Sequence, residues 1–234
     1  AVGHWPEYLA LADFNEDGHA DIVCSNTAYD RNFITVLFGN GTGALGDRLD
    51  LVTGNQPETV LALDLDGDAH TDIGVAIGGT SSVGVFRGVG NGAFLPRADY
   101  GVNGDPIGLT AGDFDGDGRT DLVAANYGQS TVALLRGLAG GTFTLSRVQT
   151  TAWYPFMLLA LDLENDARLD LAVVNRVANS VSILRGNGNG SAMRDSLSWG
   201  SCLLRLQKWT LQSMGSCSSW PVGHFFFETI EFLF

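Results

Sequence analysis

Residues 113–121 read DFDGDGRTD, four aspartates in nine positions with glycine in two of the gaps. Like charges packed this densely call for a cation among them or for full solvation. Three further stretches share the pattern: DFNEDGHAD at 13–21, DLDGDAHTD at 64–72 and DLENDARLD at 162–170. Their first aspartates are separated by 51, 49 and 49 residues. Two other landmarks keep the same beat. Gly39, Gly88, Gly137 and Gly186 recur every 49 residues, in LFGNGTGAL, FRGVGNGAF, LRGLAGGTF and LRGNGNGSA, and Pro6, Pro57, Pro106 and Pro155 each lie seven residues before the first aspartate of their unit. Three landmarks with one period define four copies of a unit of about 50 residues.

Every segment of the unit reads as strand. YLALADF, TVLALDL and MLLALDL lead into the acidic loop, DIVCSN, DLVAAN and DLAVVN follow it, and FITVLFG, SVGVFRG, TVALLRG and SVSILRG form a third strand. A more polar fourth strand is expected near 45–52, 94–101 and 143–150, after the Gly-rich turn. No helical period occurs before residue 190. Four short antiparallel strands repeated at this spacing predict an all-β fold, a β-propeller of four-stranded blades over residues 1–190, with the apolar first strands at the centre and the polar fourth strands at the rim.

The acidic loop then acquires a chemistry. Carboxylates or Asn at loop positions 1, 3, 5 and 9, with the backbone carbonyl at position 7, approach the six to eight hard oxygen ligands that Ca²⁺ takes. The candidate ligands are Asp13, Asn15, Asp17, His19 and Asp21; Asp64, Asp66, Asp68, His70 and Asp72; Asp113, Asp115, Asp117, Arg119 and Asp121; and Asp162, Glu164, Asp166, Arg168 and Asp170, the seventh-position His and Arg acting through their carbonyls. An EF-hand places a Glu at position 12, where this chain has Cys24, Val75, Ala124 and Val173. The ninth aspartate is therefore expected to close each site, one ion per loop, stapling the first strand of a blade to the second. A single such loop is more often a solvated turn; four in register are not. The 113–121 loop is complete, 13–21 has Asn15 at position 3, 64–72 has Ala69 at position 6 in place of Gly, and 162–170, with Glu164 and Ala167, is expected to be the weakest.

The charge balance agrees. The 234-residue chain has a net charge of -13 and a pI near 4.4, and 15 of its 26 acidic side chains sit at these ligand positions. Four divalent ions would bring the formal charge to -5. A single Lys and no basic cluster argue against nucleic acid as a partner, while 45% hydrophobic and 10% aromatic residues suffice for a core.

The loop, the DLVAAN-type strand after it and the LLRG…GTF turn, recurring in that order over residues 1–190, resemble the FG-GAP/VCBS repeats of integrin-α-like β-propellers. The resemblance implies Ca²⁺ binding, an extracellular or cell-surface setting, and a role in adhesion, carbohydrate binding or support of a secreted enzyme. Such propellers usually have about seven blades, against four units here, and AVGHWPEYLALADF aligns with LVTGNQPETVLALDL, so the chain starts within a unit. Either a closed four-bladed ring or an arc of a larger one is compatible with the repeats; the incomplete start favours the arc, with an exposed strand edge and apolar blade faces.

After residue 190 the period stops. Residues 191–234, a non-repeat tail, hold three of the five Trp and end in FFFETIEFLF, an apolar run that is too short for a membrane span and carries Glu228 and Glu231. Cys24 reads as a buried small hydrophobe, and Cys202 and Cys217 could pair in an oxidising compartment. No HExxH, GxSxG or P-loop pattern occurs, so the chain is expected to have no catalysis of its own. Strand alternation puts the acidic loops and Gly-rich turns on one face. The other carries Trp5, Trp153 and Tyr154 beside the repeated prolines, and Tyr29, Arg31 and Tyr127 in the second set of loops, candidates for a carbohydrate or protein partner. Packing between blades is an equal expectation for any one of these rings. The functional expectation is a secreted or cell-surface, calcium-binding recognition or adhesion module; an accessory or catalytic propeller of a secreted polysaccharide-active enzyme is the alternative.

Overall fold

The computed structural model describes residues 5–27 and 32–190. The expectations for Tyr29 and Arg31, for the 191–234 segment and for Cys202 and Cys217 lie outside these residues. The first unit folds as β1 (Pro6–Ala12), β2 (Asp21–Asn26), β3 (Phe33–Gly39) and β4 (Leu45–Val52), and the second as β5 (Pro57–Leu63), β6 (Asp72–Ile77), β7 (Ser82–Phe86) and β8 (Ala98–Gly101). The third comprises β9 (Pro106–Gly112), β10 (Asp121–Asn126), β11 (Thr131–Leu138) and β12 (Thr142–Thr150); the fourth has β13 (Pro155–Leu161), β14 (Asp170–Asn175) and β15 (Ser180–Leu184) among the described residues. Each unit is one antiparallel sheet with its strands in sequence order. The only helical turn described is a 3₁₀ turn at Gly78–Thr80.

The landmarks fix the register. At the acidic end the pairs Ala12↔Asp21, Leu63↔Asp72, Gly112↔Asp121 and Leu161↔Asp170 are equivalent. At the other end the prolines pair with Asn26, Ile77, Asn126 and Asn175, and the register slips by a bulge beside each. Proline has no N–H for the ladder, which confines it to a strand start or bulge of this kind.

The sheets associate through their first strands: β1 packs on β5, β5 on β9 and β9 on β13. No contact of comparable extent joins β13 to β1 among the described residues. Three apolar clusters fill the gaps between consecutive blades. Phe14, Val23, Ile34 and Val36 meet Val60, Ile73 and Val75; Val83 and Val85 meet Leu122 and Leu135; Val123 and Leu134 meet Leu171 and Val173. Edge-on ring pairs, Phe14 with Phe94 at 5.7 Å and Tyr100 with Phe143 at 5.3 Å, wedge successive blades. Each fully buried aliphatic contributes roughly 1.5–3 kcal/mol. The result is the arc of a β-propeller, four blades with three blade-to-blade cores and no closure among the described residues. The innermost strands, expected to be the most apolar, are not the most buried. That rank belongs to β6, β7 and β10, buried at every position, because a middle strand of an inner blade has neighbours on both edges and both faces while a first strand borders the central axis.

Candidate metal loops and the opposite face

The ninth aspartate of each loop is a buried carboxylate. Asp21, Asp72 and Asp121 are fully buried and Asp170 nearly so. One oxygen accepts the N–H of the second loop residue: Phe14 at 2.9 Å, Leu65 at 2.8 Å, Phe114 at 3.0 Å and Leu163 at 2.9 Å. The other accepts the N–H of the periodic glycine, from Gly39, Gly88 and Gly186 at 2.8 Å and from Gly137 at 2.7 Å. The carboxylate thus ties the start of its loop to the end of the third strand. Glycine is required at that point: an added Cβ would lie 2.0–2.2 Å from the carbonyl oxygen of Ala20, Thr71, Thr120 or Leu169. Burial, opposed by these N–H groups and reinforced by neighbouring carboxylates, pushes Asp72 and Asp121 up to about 6.

The first aspartate shapes the turn. Its Oδ2 accepts the N–H of the sixth loop residue, Gly18, Ala69, Gly118 or Ala167, at 2.8–2.9 Å. That residue is left-handed in all four loops, with φ of 83°, 72°, 81° and 65° in chain order. The two alanines hold the turn that glycine makes elsewhere without a Cβ conflict. The seventh N–H returns to the fifth side chain in each loop, so every loop is wound around its own carboxylates.

In two loops the carboxylates converge. Oxygens of Asp64, Asp66 and Asp72 lie within 4.8 Å of one another, as do those of Asp113, Asp115 and Asp117. In 13–21 the third position is the Asn15 amide, whose nitrogen donates to Asp17 at 3.0 Å, and in 162–170 Glu164 pairs with Arg185 at 2.6 Å. The convergence spans positions 1, 3 and 9 in one loop and 1, 3 and 5 in the other. A cavity of about 260 Å³ opens beside the 113–121 loop, lined by Asp115, Asp121, Arg136, Ser146 and Arg147.

Sequence reading missed the basic residue just before the periodic glycine. Arg87 approaches Asp66 at 3.7 Å, Arg136 pairs with Asp115 and reaches Asp117 at 2.9 Å, and Arg185 holds Glu164. Partial burial works the other way, but the Arg136 guanidinium and the Arg119 N–H keep the Asp117 carboxyl below its ordinary value. The signal was present as the R of each FRG and LRG; in the first blade Phe38 replaces it. Successive loops also touch: His70 Nδ1 meets Glu16 Oε1 at 2.5 Å.

At the opposite ends of the strands Trp5 and Trp153 are exposed and Tyr154 partly so. Tyr127 lies 4.7 Å from Tyr154 and 6.4 Å from Phe156, and the Arg176 guanidinium covers the Phe156 ring at 5.3 Å. These contacts bring Tyr127 and Tyr154 together, with Trp153 next in the chain; Trp5, on the first blade, is not among them. Phe156 and Arg176 were not anticipated. Glu58, on the same end of β5, is pushed up to about 7 by burial and by the carboxylates of Glu7 and Asp105.

Antiparallel blades joined by their inner strands, each with an acidic loop between its first two strands, define a repeat propeller. The chain belongs to the FG-GAP-like repeat family: the family model matches residues 13–75, 64–124 and 113–173, each match running from one acidic loop into the second strand of the next unit. Several solved structures share the fold. They include a lectin of Agrocybe aegerita described for specific recognition of non-reducing terminal N-acetylglucosamine (21% identity, TM-score 0.54, covering 79% of this chain and 50% of that one). Another is virginiamycin B lyase from Staphylococcus aureus (11%, 0.56, 84% and 55%), and a third is the rhamnogalacturonan lyase of Bacillus licheniformis (15%, 0.52, 80% and 41%). At these identities the likeness shows the fold. The chain spans about half the length of these structures. No curated protein sequence matches it.

Proposed function

We propose that this chain is a calcium-binding recognition module acting outside the cell, with a carbohydrate or protein partner on the face opposite the acidic loops and no catalysis of its own. The observation that carries the calcium reading is the convergence of three carboxylate oxygens within 4.8 Å in the 64–72 and 113–121 loops, on turns whose backbone is already wound around the first aspartate. Hard oxygen donors without Cys, in a loop that also turns a carbonyl at its seventh position, fit Ca²⁺ better than a soft metal. Loop 13–21 would hold its ion through Asp13, Asn15, Asp17 and Asp21. Loop 162–170 ranks last because Glu164 is engaged by Arg185. What the ion would supply is neutralisation of the loop carboxylates. Sites of this kind fill at extracellular calcium concentrations, about 10⁻⁴–10⁻³ M for weak modules, which supports an exterior location.

The recognition reading rests on the Tyr127, Tyr154 and Phe156 cluster with the exposed Trp153 beside it. Aromatic faces with a guanidinium alongside suit stacking on sugars or anchoring of a protein side chain, and the likeness to a lectin fold is compatible with the former. The test is a glycan array on the calcium-loaded chain and on Trp153→Ala and Tyr154→Ala variants. A discrete glycan bound by the wild type and lost by about tenfold or more in either variant is the expected result. The alternative, an accessory or catalytic propeller of a polysaccharide-active enzyme, is favoured by the likeness to a rhamnogalacturonan lyase fold, and turnover of a polysaccharide by the isolated chain would replace the first reading.

A further inference from the structure

The acidic loops share one scaffold of backbone hydrogen bonds but not one set of neighbouring cations, and the difference begins at the residue before the periodic glycine. That residue is Phe38, Arg87, Arg136 and Arg185 in chain order. In 113–121 the Arg136 guanidinium bridges two carboxylates, its Nε meeting Asp115 and its Nη2 donating to Asp117 at 2.9 Å. Arg119, at the seventh position of the same loop, sets a second guanidinium on Asp117 and donates from Nε to the Gly137 carbonyl at 3.2 Å. In 64–72 the equivalent Arg87 stands off from Asp66 at 3.7 Å, and its Nη1 donates to the Gly140 carbonyl of the next blade at 3.3 Å. The seventh residue there is His70, whose ring pairs with Glu16 of the first loop. No ion pair among the described residues reaches Asp64 or Asp68.

These two loops hold the same four carboxylates, so the guanidiniums decide what a further cation gains. The third-position side chains are nearly enclosed, Asp66 at 10% and Asp115 at 6% exposed. The Gly-rich turn of the following blade closes over each: a Cβ added at Gly141 or Gly190 would lie 2.2 or 3.0 Å from the Cβ of Asp66 or Asp115. A carboxylate held this far from water needs a positive partner, because an unpaired buried charge is strongly destabilising. For Asp115 that partner is already in place. The oxygens that Arg136 holds, at loop positions 3 and 5, are among those a hard divalent ion takes, and two cations cannot share them without repelling one another.

We infer that Arg136 is a resident counter-cation of the 113–121 loop, which calcium must displace from Asp115 and Asp117, so that the loop most complete in sequence fills at a higher calcium concentration than 64–72. The inference rests on the calcium reading above and adds to it the order in which two loops fill and the side chain that sets it. Sequence completeness alone would rank 113–121 first; the geometry reverses that order, because Arg87 leaves the carboxylates of 64–72 more open to an ion than Arg136 leaves those of 113–121. The displaced guanidinium has room to move, since Arg136 also lines the cavity of about 260 Å³ beside its loop.

Heteronuclear NMR of the isotope-labelled full chain during a calcium titration reads the two loops separately. The reporters are the sixth-position amides of Ala69 and Gly118, which donate to the first aspartate of their loops at 2.9 and 2.8 Å. The Ala69 amide should reach half of its shift at a calcium concentration at least about fivefold below that of Gly118. Arg136→Gln should lower the Gly118 midpoint by about tenfold or more and leave the Ala69 midpoint in place. Arg136→Lys, which keeps the charge but not the two-pronged contact, should lower it by less. Should the glutamine variant lose its dispersed spectrum, the lysine variant decides, a lowered Gly118 midpoint being expected and an unchanged one contradicting. An unchanged Gly118 midpoint in folded Arg136→Gln, or a wild-type Gly118 that responds at or below the Ala69 midpoint, overturns the inference and leaves the calcium reading standing. Absence of any response at both amides across about 10⁻⁵–10⁻² M calcium overturns the two together.

Discussion

The carboxylate at the ninth position of each loop does structural work before any ion arrives. It is buried, and both oxygens are held by backbone N–H groups from two different segments. Its glycine partner admits no side chain, so Gly137→Ala would push a Cβ against the Thr120 carbonyl, 2.2 Å away. We expect a loss of about 2–4 kcal/mol in chemical denaturation, through overpacking and a broken hydrogen bond to a buried charge. The left-handed alanines act in the opposite direction. Ala69→Gly and Ala167→Gly relieve a Cβ conflict at φ 72° and 65° and should stabilise by about 0.5–1 kcal/mol each in the same assay. Both positions were legible in the sequence, since the Asp and the Gly recur and the alanines break the pattern. What was not legible was that the ninth Asp and the periodic Gly bond to each other, because sixteen to eighteen residues of strand and turn separate them. The arginines escaped for the same reason: the R of LRG looked like a strand end, and only the return of the third strand brings it over the acidic loop.

At the scale of the element, repetition made the strands readable. Boundaries expected from apolar residues recur for the first three strands of every sheet, the fourth strand expected at 94–101 is confined to Ala98–Gly101 with an isolated bridge between Gly88 and Phe94, and the prolines mark the bulged starts. Burial was not readable, because a strand's neighbours in the next blade are about 50 residues away in sequence. Glu58 on β5 illustrates the consequence. Its position looks like a polar residue at a strand start, yet its neighbours across the inner strands are Glu7 and Asp105, and its pKa rises from 4.5 to about 7. A carboxyl raised on folding takes up a proton in the native state. That contribution is fully present below about pH 4.5 and is lost as pH rises toward 7. Glu58→Gln should therefore flatten this part of the stability profile and raise stability at pH 8 by about 1–2 kcal/mol, read as the difference between wild-type and variant denaturation curves across pH.

For the whole molecule the governing quantity is the net charge of -13, concentrated in four loops on one face of an arc. Arg87, Arg136 and Arg185 offset part of it, but the converging carboxylates of 64–72 and 113–121 leave a concentrated negative charge that a divalent cation relieves. Binding to the native state alone stabilises by about 2.7 kcal/mol at one hundred times the dissociation constant, which for a domain of this size is a shift of roughly 5–10 °C. The most direct test is therefore a thermal melt of the full chain in about millimolar calcium and again in excess EDTA, with Asp115→Ala run alongside. The proposed calcium sites predict a melting temperature lower by at least about 5 °C in EDTA, and a smaller calcium-dependent shift in the variant. Superimposable melts of the wild-type chain with and without calcium would contradict it.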